Sequence, residues 1–290
     1  TFIIVGHETY VSGGTSFVRV MKPIDFHLRA VVQTDGLIRV IGSELDDNIV
    51  VSGILGGPVN ISLNGVSVGS MPATTRLLVE GVGGNDTIQI VGNIDSNVWG
   101  EAGNDILIGG DGNDSLIGGR GINTLKGGLG NDLYYFNDLG NFSQDDGIEI
   151  ADYVLELSNQ GFDTLSFVTP FGIVADLSPD AEEPNISMSS PFSFQRKIQF
   201  LSNSVSQFER IAGSEATDSI KVGSATSFLG RGGNEQIRIM PPLTPGQPLV
   251  LRQLTSGVTL VNTDTIYATL QASVGTISLN QTLPPDLVST

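Results

Sequence analysis

Gly109–Asp132 reads GGDGNDSLIGGRGINTLKGGLGND, and its pattern recurs every nine residues. Each unit runs two glycines, a free position, a third glycine and another free position into an acidic or amide residue, with an apolar residue two places later. Glycine reaches positive φ without a Cβ penalty, so such a run makes a tight turn whose carbonyls point inward. The residues after the turn, Ser115–Ile117 and Thr124–Lys126, suit a very short strand with one apolar side chain facing in. Two loop-and-strand units complete a coil. Loops 18 residues apart then stack on one edge, at roughly the 4.8 Å spacing of neighbouring strands.

Stacked loops share a cavity lined by carbonyl oxygens and by carboxylates that repel one another when bare. A cation belongs between them. Hard oxygen donors at a flexible site suit Ca²⁺, which takes about 6–8 oxygens, and no thiolate or imidazole favours zinc. Gly109–Ile117 fits the unit fully, and Gly127–Tyr135 fits with Tyr134 at the apolar position. Gly118–Lys126 has Asn123 in place of Asp, so its site is expected to be weaker. Gly100–Ile108 keeps one of its first two glycines, and Gly81–Gln89 is also imperfect. Asp95 follows Asp86 by nine residues and Asp105 follows after ten, which places a one-residue insertion near Val98-Trp99. One edge is thus expected to carry Asp86, Asp105 and Asn123, and the other Asp95, Asp114 and Asp132. The loop residues Gly109, Gly110, Asp111, Gly112, Gly118, Gly119, Gly121, Gly127, Gly128 and Gly130 complete the candidate metal set. The best sites lie between the 114 and 132 loops and between the 105 and 123 loops.

This nonapeptide resembles the RTX (repeats-in-toxin), or hemolysin-type, calcium-binding repeat. The resemblance implies a parallel β-roll holding several Ca²⁺ ions. Asn137–Leu165 also resembles the segment that commonly follows RTX repeats in large secreted proteins. Its Asp145, Asp146, Glu149 and Asp152 fit either a further cation site or a solvated acidic loop.

Composition agrees. The chain of 290 residues has 31 Asp plus Glu against 14 Lys plus Arg, a net charge of −17. That balance disfavours nucleic acid and anionic membranes as partners and favours cations. Cysteine is absent, which excludes disulfides and thiol metal sites. No apolar run is long enough to span a bilayer. The start at Thr1 fits a processed chain or a fragment, and the millimolar calcium such loops require points to a secreted or cell-surface location. Catalysis is not expected. His7 and His27 lie outside any His-Glu-x-x-His motif, and no serine elbow has a histidine partner. Gly81, Gly83 and Gly84 lack the helix a nucleotide loop needs, and acids fixed in repeat loops argue against glycoside hydrolysis.

The rest of the chain reads as strands. Leu37–Val51, Val59–Val68 and Arg76–Glu80 alternate apolar and polar residues, and Asn64-Gly65 marks a two-residue hairpin turn. A worn second copy lies downstream, where Arg39–Glu44 with Asp47 aligns with Arg210–Glu215 and Asp218, and GVGGNDTIQI with GRGGNEQIRI. Glu235 and Arg231 make calcium there less favourable. The expected fold is all-β, a parallel β-roll or solenoid with added hairpin or sandwich-like strands. Its segments are 1–80, an N-terminal β region; 81–140, the calcium-binding roll; 141–207, a β-rich connection; 208–240, the degenerate second block; and 241–290, a Pro-rich linker with final strands. Two non-catalytic functions fit: a self-assembling fibre, sheath or surface-layer subunit joined through terminal strands such as Thr1–Val5, or an accessory module of a larger secreted enzyme or adhesin.

Overall fold

Alternating side chains between glycine-rich turns suit strands that bury one residue in two, and the computed structural model of the chain is built from them. It describes residues 4–8, 16–21, 27–32, 37–72, 76–137, 150–156, 161–177, 185–188, 196–201, 208–222, 227–229, 231, 235–239, 249–252, 258–261, 268–271 and 277–279. Every regular element among them is a β-strand, and parallel pairing dominates, as a β-roll requires. The chain divides into two compact units, Thr1–Tyr135 with Asn159–Gly161, and Phe136–Ser158 with Phe162–Thr290. The N-terminal region therefore shares one unit with the glycine repeats rather than standing apart. Asp145, Asp146, Glu149 and the Pro241–Pro248 linker lie outside the described residues.

In the first unit the strands are β1 (Ile4–Glu8), β2 (Ser16–Met21), β3 (His27–Val32), β4 (Ile38–Ile41), β5 (Asn48–Gly53), β6 (Val59–Leu63) and β7 (Val66–Met71). There follow β8 (Leu77–Gly83), β9 (Thr87–Val91), β10 (Ser96–Ala102), β11 (Ile106–Gly110), β12 (Ser115–Arg120), β13 (Thr124–Gly128) and β14 (Leu133–Phe136). From β8 onward, successive strands alternate between two sheets. One sheet runs β4, β8, β10, β12, β14 in parallel, and the other β5, β9, β11, β13. Antiparallel strands extend the start of each, β1 to β3 beyond β4 and β6 with β7 beyond β5. The β6–β7 turn is the expected Asn64-Gly65 pair, with φ of 48° and 76°, as a type I′ hairpin demands. His7 and His27 fall on β1 and β3.

Strict repetition runs two continuous files through the core. Val40, Val79, Val98, Leu116 and Tyr134 are in register across one sheet, and Ile49, Ile88, Leu107 and Leu125 across the other. All nine are 0% exposed. Tyr134 replaces an aliphatic residue at the end of its file because its hydroxyl has a partner, the Gly127 N–H at 2.6 Å.

The one-residue insertion lies earlier than Val98-Trp99. Thr87, Ile88 and Gln89 pair with Ile106, Leu107 and Ile108 at an offset of 19, but Gly110 packs over Gly92 O and Gly112 over Ile94 O, an offset of 18. Ile90 and Val91 therefore face Gly109 alone, a local bulge that shifts the following turn by one position.

The second unit repeats the design. Strands at Asp163–Phe167, Phe208–Ala212, Ser227–Leu229, Leu249–Arg252 and Ala268–Gln271 form one parallel sheet. Ile173–Leu177, Ser219–Val222, Glu235–Ile239, Val258–Val261 and Ile277–Leu279 form another parallel set. The final strands thus continue the second block, against the separation expected from the proline-rich composition. Phe136, the last residue of β14, belongs to this second unit and stacks on Phe167, centroids 5.2 Å apart.

Candidate metal centre

Each glycine loop of the first unit brings its sixth residue back under its first. A Cβ added at Gly81, Gly100, Gly109 or Gly127 would lie 2.2, 2.3, 2.5 or 2.1 Å from Oδ2 of Asp86, Asp105, Asp114 or Asp132. The first glycine is thus obligatory, since the carboxylate occupies the space of its missing side chain. Gly128, at φ +112°, sits so that a Cβ would meet Gly110 O at 2.0 Å. Loops one coil apart are therefore in backbone contact, which no other residue permits.

The carboxylates form two ladders. On one edge Asp86 Oδ1 accepts the Asp47 N–H at 2.8 Å, Asp105 Oδ1 the Asp86 N–H at 2.8 Å, and Asn123 Oδ1 the Asp105 N–H at 2.9 Å. On the other, Asp114 Oδ1 accepts the N–H and hydroxyl of Ser96 at 2.9 and 2.6 Å, and Asp132 Oδ1 the Asp114 N–H at 2.8 Å. Asp86, Asp105, Asp114, Asn123 and Asp132 are all buried. A second, outer ladder runs beside each: Asn85, Asn104 and Ile122 follow Asp46 on one edge, and Asn113 and Asn131 follow Asp95 on the other.

Asp95 is the correction. Because of the bulge at Ile90-Val91, Ser96 takes the inner position beneath Asp114, and Asp95 moves to the outer ladder, half-buried, accepting the Asn113 N–H at 2.9 Å. Asp111 is exposed at the third loop position. Asn123 keeps its place, but its amide nitrogen lies over Gly118, where the other loops put a carboxylate oxygen, and donates to Gly119 O at 3.4 Å.

The inner ladder uses one oxygen of each carboxylate and leaves a charge to satisfy. Oδ2 of Asp86 and of Asp114 is buried and accepts no hydrogen bond. A buried carboxylate oxygen without a partner costs several kcal/mol, and burial pushes both groups up to about 7 against the lowering effect of their hydrogen bonds. An all-oxygen set of buried carboxylates, closely stacked and short of positive charge, fits a hard divalent cation.

Two departures from the glycine pattern hold the same loop conformation. Val82 and Glu101 stand at the second position with φ of 85° and 72°, matching Gly119 at 88°, with which they share a register. A β-branched residue in this region is strained by about 1–3 kcal/mol. Val82→Gly is therefore expected to stabilise the calcium-loaded chain by about 1 kcal/mol after the entropy of the new glycine is counted. A denaturant midpoint unchanged or lowered relative to the parent chain would show that the loop is unstrained.

Residues 95–116 and 108–138 match the RTX calcium-binding nonapeptide repeat (4 copies). The segment 95–138 is thus an RTX repeat block, and calcium binding is a property of these repeats. No curated protein matches the chain. Among the described residues, no helix is long and apolar enough to cross a membrane.

Proposed function

We propose that the chain is a secreted, non-catalytic structural protein whose first unit is locked by several Ca²⁺ ions held between stacked loops. The carboxylates of Asp86, Asp105, Asp114 and Asp132 would hold the ions with backbone oxygens of their glycine loops. The bound ion supplies positive charge that ties adjacent coils together. The observation that carries this reading is the pair of buried Oδ2 atoms on Asp86 and Asp114 with no hydrogen-bond partner. Asn123, whose amide turns to Gly119 O, makes the weakest rung. Calcium titration by calorimetry tests the reading: several ions per chain are expected, and heats indistinguishable from dilution at millimolar calcium would end it.

Self-assembly is the finer part of the proposal. β1 pairs on one side with β2, and no described strand covers its other side, which leaves an edge able to accept a neighbour's strand. Filaments or sheets are expected by electron microscopy at millimolar calcium, and deletion of residues 1–8 should leave soluble calcium-binding monomers. A full-length chain that stays monomeric at high concentration with calcium present would favour the second reading, an accessory module of a larger secreted protein. That reading draws on the small share of the chain, residues 95–138, that the repeat match occupies.

A further inference from the structure

Two turns have the shape of the cation loops and a different chemistry. In Gly42–Asp47 and Gly213–Asp218 the second position is serine, and the sixth is again a buried aspartate. Asp47 Oδ2 accepts both the N–H and the hydroxyl of Ser43 at 2.8 Å, and its Oδ1 accepts the Asn64 side-chain amide at 2.9 Å. Asp218 Oδ2 accepts the Ser214 N–H at 2.9 Å, while its Oδ1 accepts the Ser214 hydroxyl and the Ile173 N–H. Each serine oxygen also accepts the N–H two residues on, from Leu45 and from Ala216, at 3.2 Å in both turns. In both turns the serine N–H and hydroxyl donate to the aspartate, although the turns belong to different units and the hydroxyl meets Oδ2 of Asp47 but Oδ1 of Asp218.

The contrast with the cation loops is specific. There the second residue, Val82, Glu101, Gly110, Gly119 or Gly128, has positive φ, whereas neither serine does. The backbone N–H at that position is turned onto the carboxylate in the serine turns. Accordingly the carboxylate is drawn away from the first glycine: a Cβ at Gly42 would lie 3.2 Å from Asp47 Oδ2, against 2.2 Å for the Gly81 and Asp86 pair. In the second unit the Arg231 guanidinium, held on Phe167 O and Ser166 Oγ, adds positive charge beside Asp218.

We propose that Ser43 and Ser214 close their turns without a cation, the serine N–H and hydroxyl supplying to the aspartate what an ion supplies in the glycine loops, so that the second loop residue decides which turns of this chain take calcium. This rests on the calcium reading of the glycine loops. It gives the array a boundary. The ladder of Asp86, Asp105 and Asn123 ends on the serine-closed Asp47 turn, and the second unit closes its Asp218 turn with the serine hydrogen bonds and the nearby Arg231 charge.

The test uses the full chain with calcium chloride as the probe. Ser43→Gly removes the hydroxyl and frees the second position for positive φ, leaving Asp47 in the state of Asp86. It should lose thermal stability in chelator, recover it with calcium, and bind about one more ion per chain than the parent. Ser43→Ala loses the same hydroxyl but resists positive φ, so it should be destabilised with no added ion and no calcium rescue. Ser43→Gly with the parent stoichiometry and equal stability deficits in chelator and in calcium would overturn the proposal. A parent chain that binds no calcium at all would instead overturn the reading beneath it. Should Ser43→Gly fail to fold, the parent chain decides by hydrogen exchange: the Ser214 amide is expected to keep its protection in chelator while the 110–128 amides lose theirs, and joint loss overturns the proposal.

Discussion

Chelating calcium should strongly destabilise the first unit, with weakened strand circular dichroism and a cooperative thermal transition shifted to much lower temperature. Each site occupied at about 100 times its Kd contributes about 2.7 kcal/mol to the folded state. Several such sites together rival the whole stability of a domain, about 5–15 kcal/mol. The metal-free loops have little to replace that contribution. Their aspartates are stacked in line, Oδ2 of Asp86 and of Asp114 has no donor, and the core they enclose is only one side chain deep from each sheet. The same experiment ranks positions. Asp114 stands between Ser96 and Asp132 on the inner ladder, so Asp114→Ala should lower calcium stoichiometry and melting temperature together. Asp95 stands on the outer ladder, so Asp95→Ala should leave stoichiometry unchanged. Equal ion losses from the two substitutions would mean that Asp95, and not Ser96, faces the cavity. A melting temperature indifferent to chelator would remove calcium from the account altogether.

The sequence displays the repeat because glycine at the first position has a steric reason that no other residue satisfies, and that reason recurs at Gly100, Gly109, Gly118 and Gly127. The apolar file is equally plain in Leu116, Leu125 and Tyr134, each two places after a ladder residue. The Asn64-Gly65 turn is legible for the same kind of reason, since both residues must take positive φ. Register was harder to read. The bulge at Ile90-Val91 adds a residue inside a strand, where Ile and Val look equally regular, so counting alone sends Asp95 to the place that Ser96 holds. Val82 and Glu101 conceal their loop conformation because they pay for it in strain rather than advertise it with glycine. Ser43 and Ser214 look like decay of the repeat. Only the hydrogen bonds to Asp47 and Asp218 reveal that a second way of closing the turn is in use.

Stability of the metal-free chain should rise as pH falls, and calcium affinity should fall with it. Asp86 and Asp114 are both held at about 7, chiefly by burial and secondarily by neighbouring carboxylates, among them Asp105 and Asp47 for Asp86 and Asp95 and Asp111 for Asp114. In the unfolded chain an aspartate titrates near 3.9. A group whose folded value is raised gives its full stabilisation below the unfolded value and loses it as pH climbs through the folded one. The apo protein should therefore be markedly less stable at pH 8 than at pH 5, opposite in sign to the usual acid lability of salt-bridged carboxylates. Calcium reverses the slope, because a ligand carboxylate must release its proton before it holds the ion. Below pH 7 the apparent Kd should rise by about tenfold per pH unit for each such carboxylate in a site. Melting curves in chelator and calcium titrations across pH 5 to 8 read both trends. An apo melting temperature that climbs with pH would show that these carboxylates are already ionised and partnered in the metal-free fold, and the calcium between the loops would then have no buried charge to satisfy.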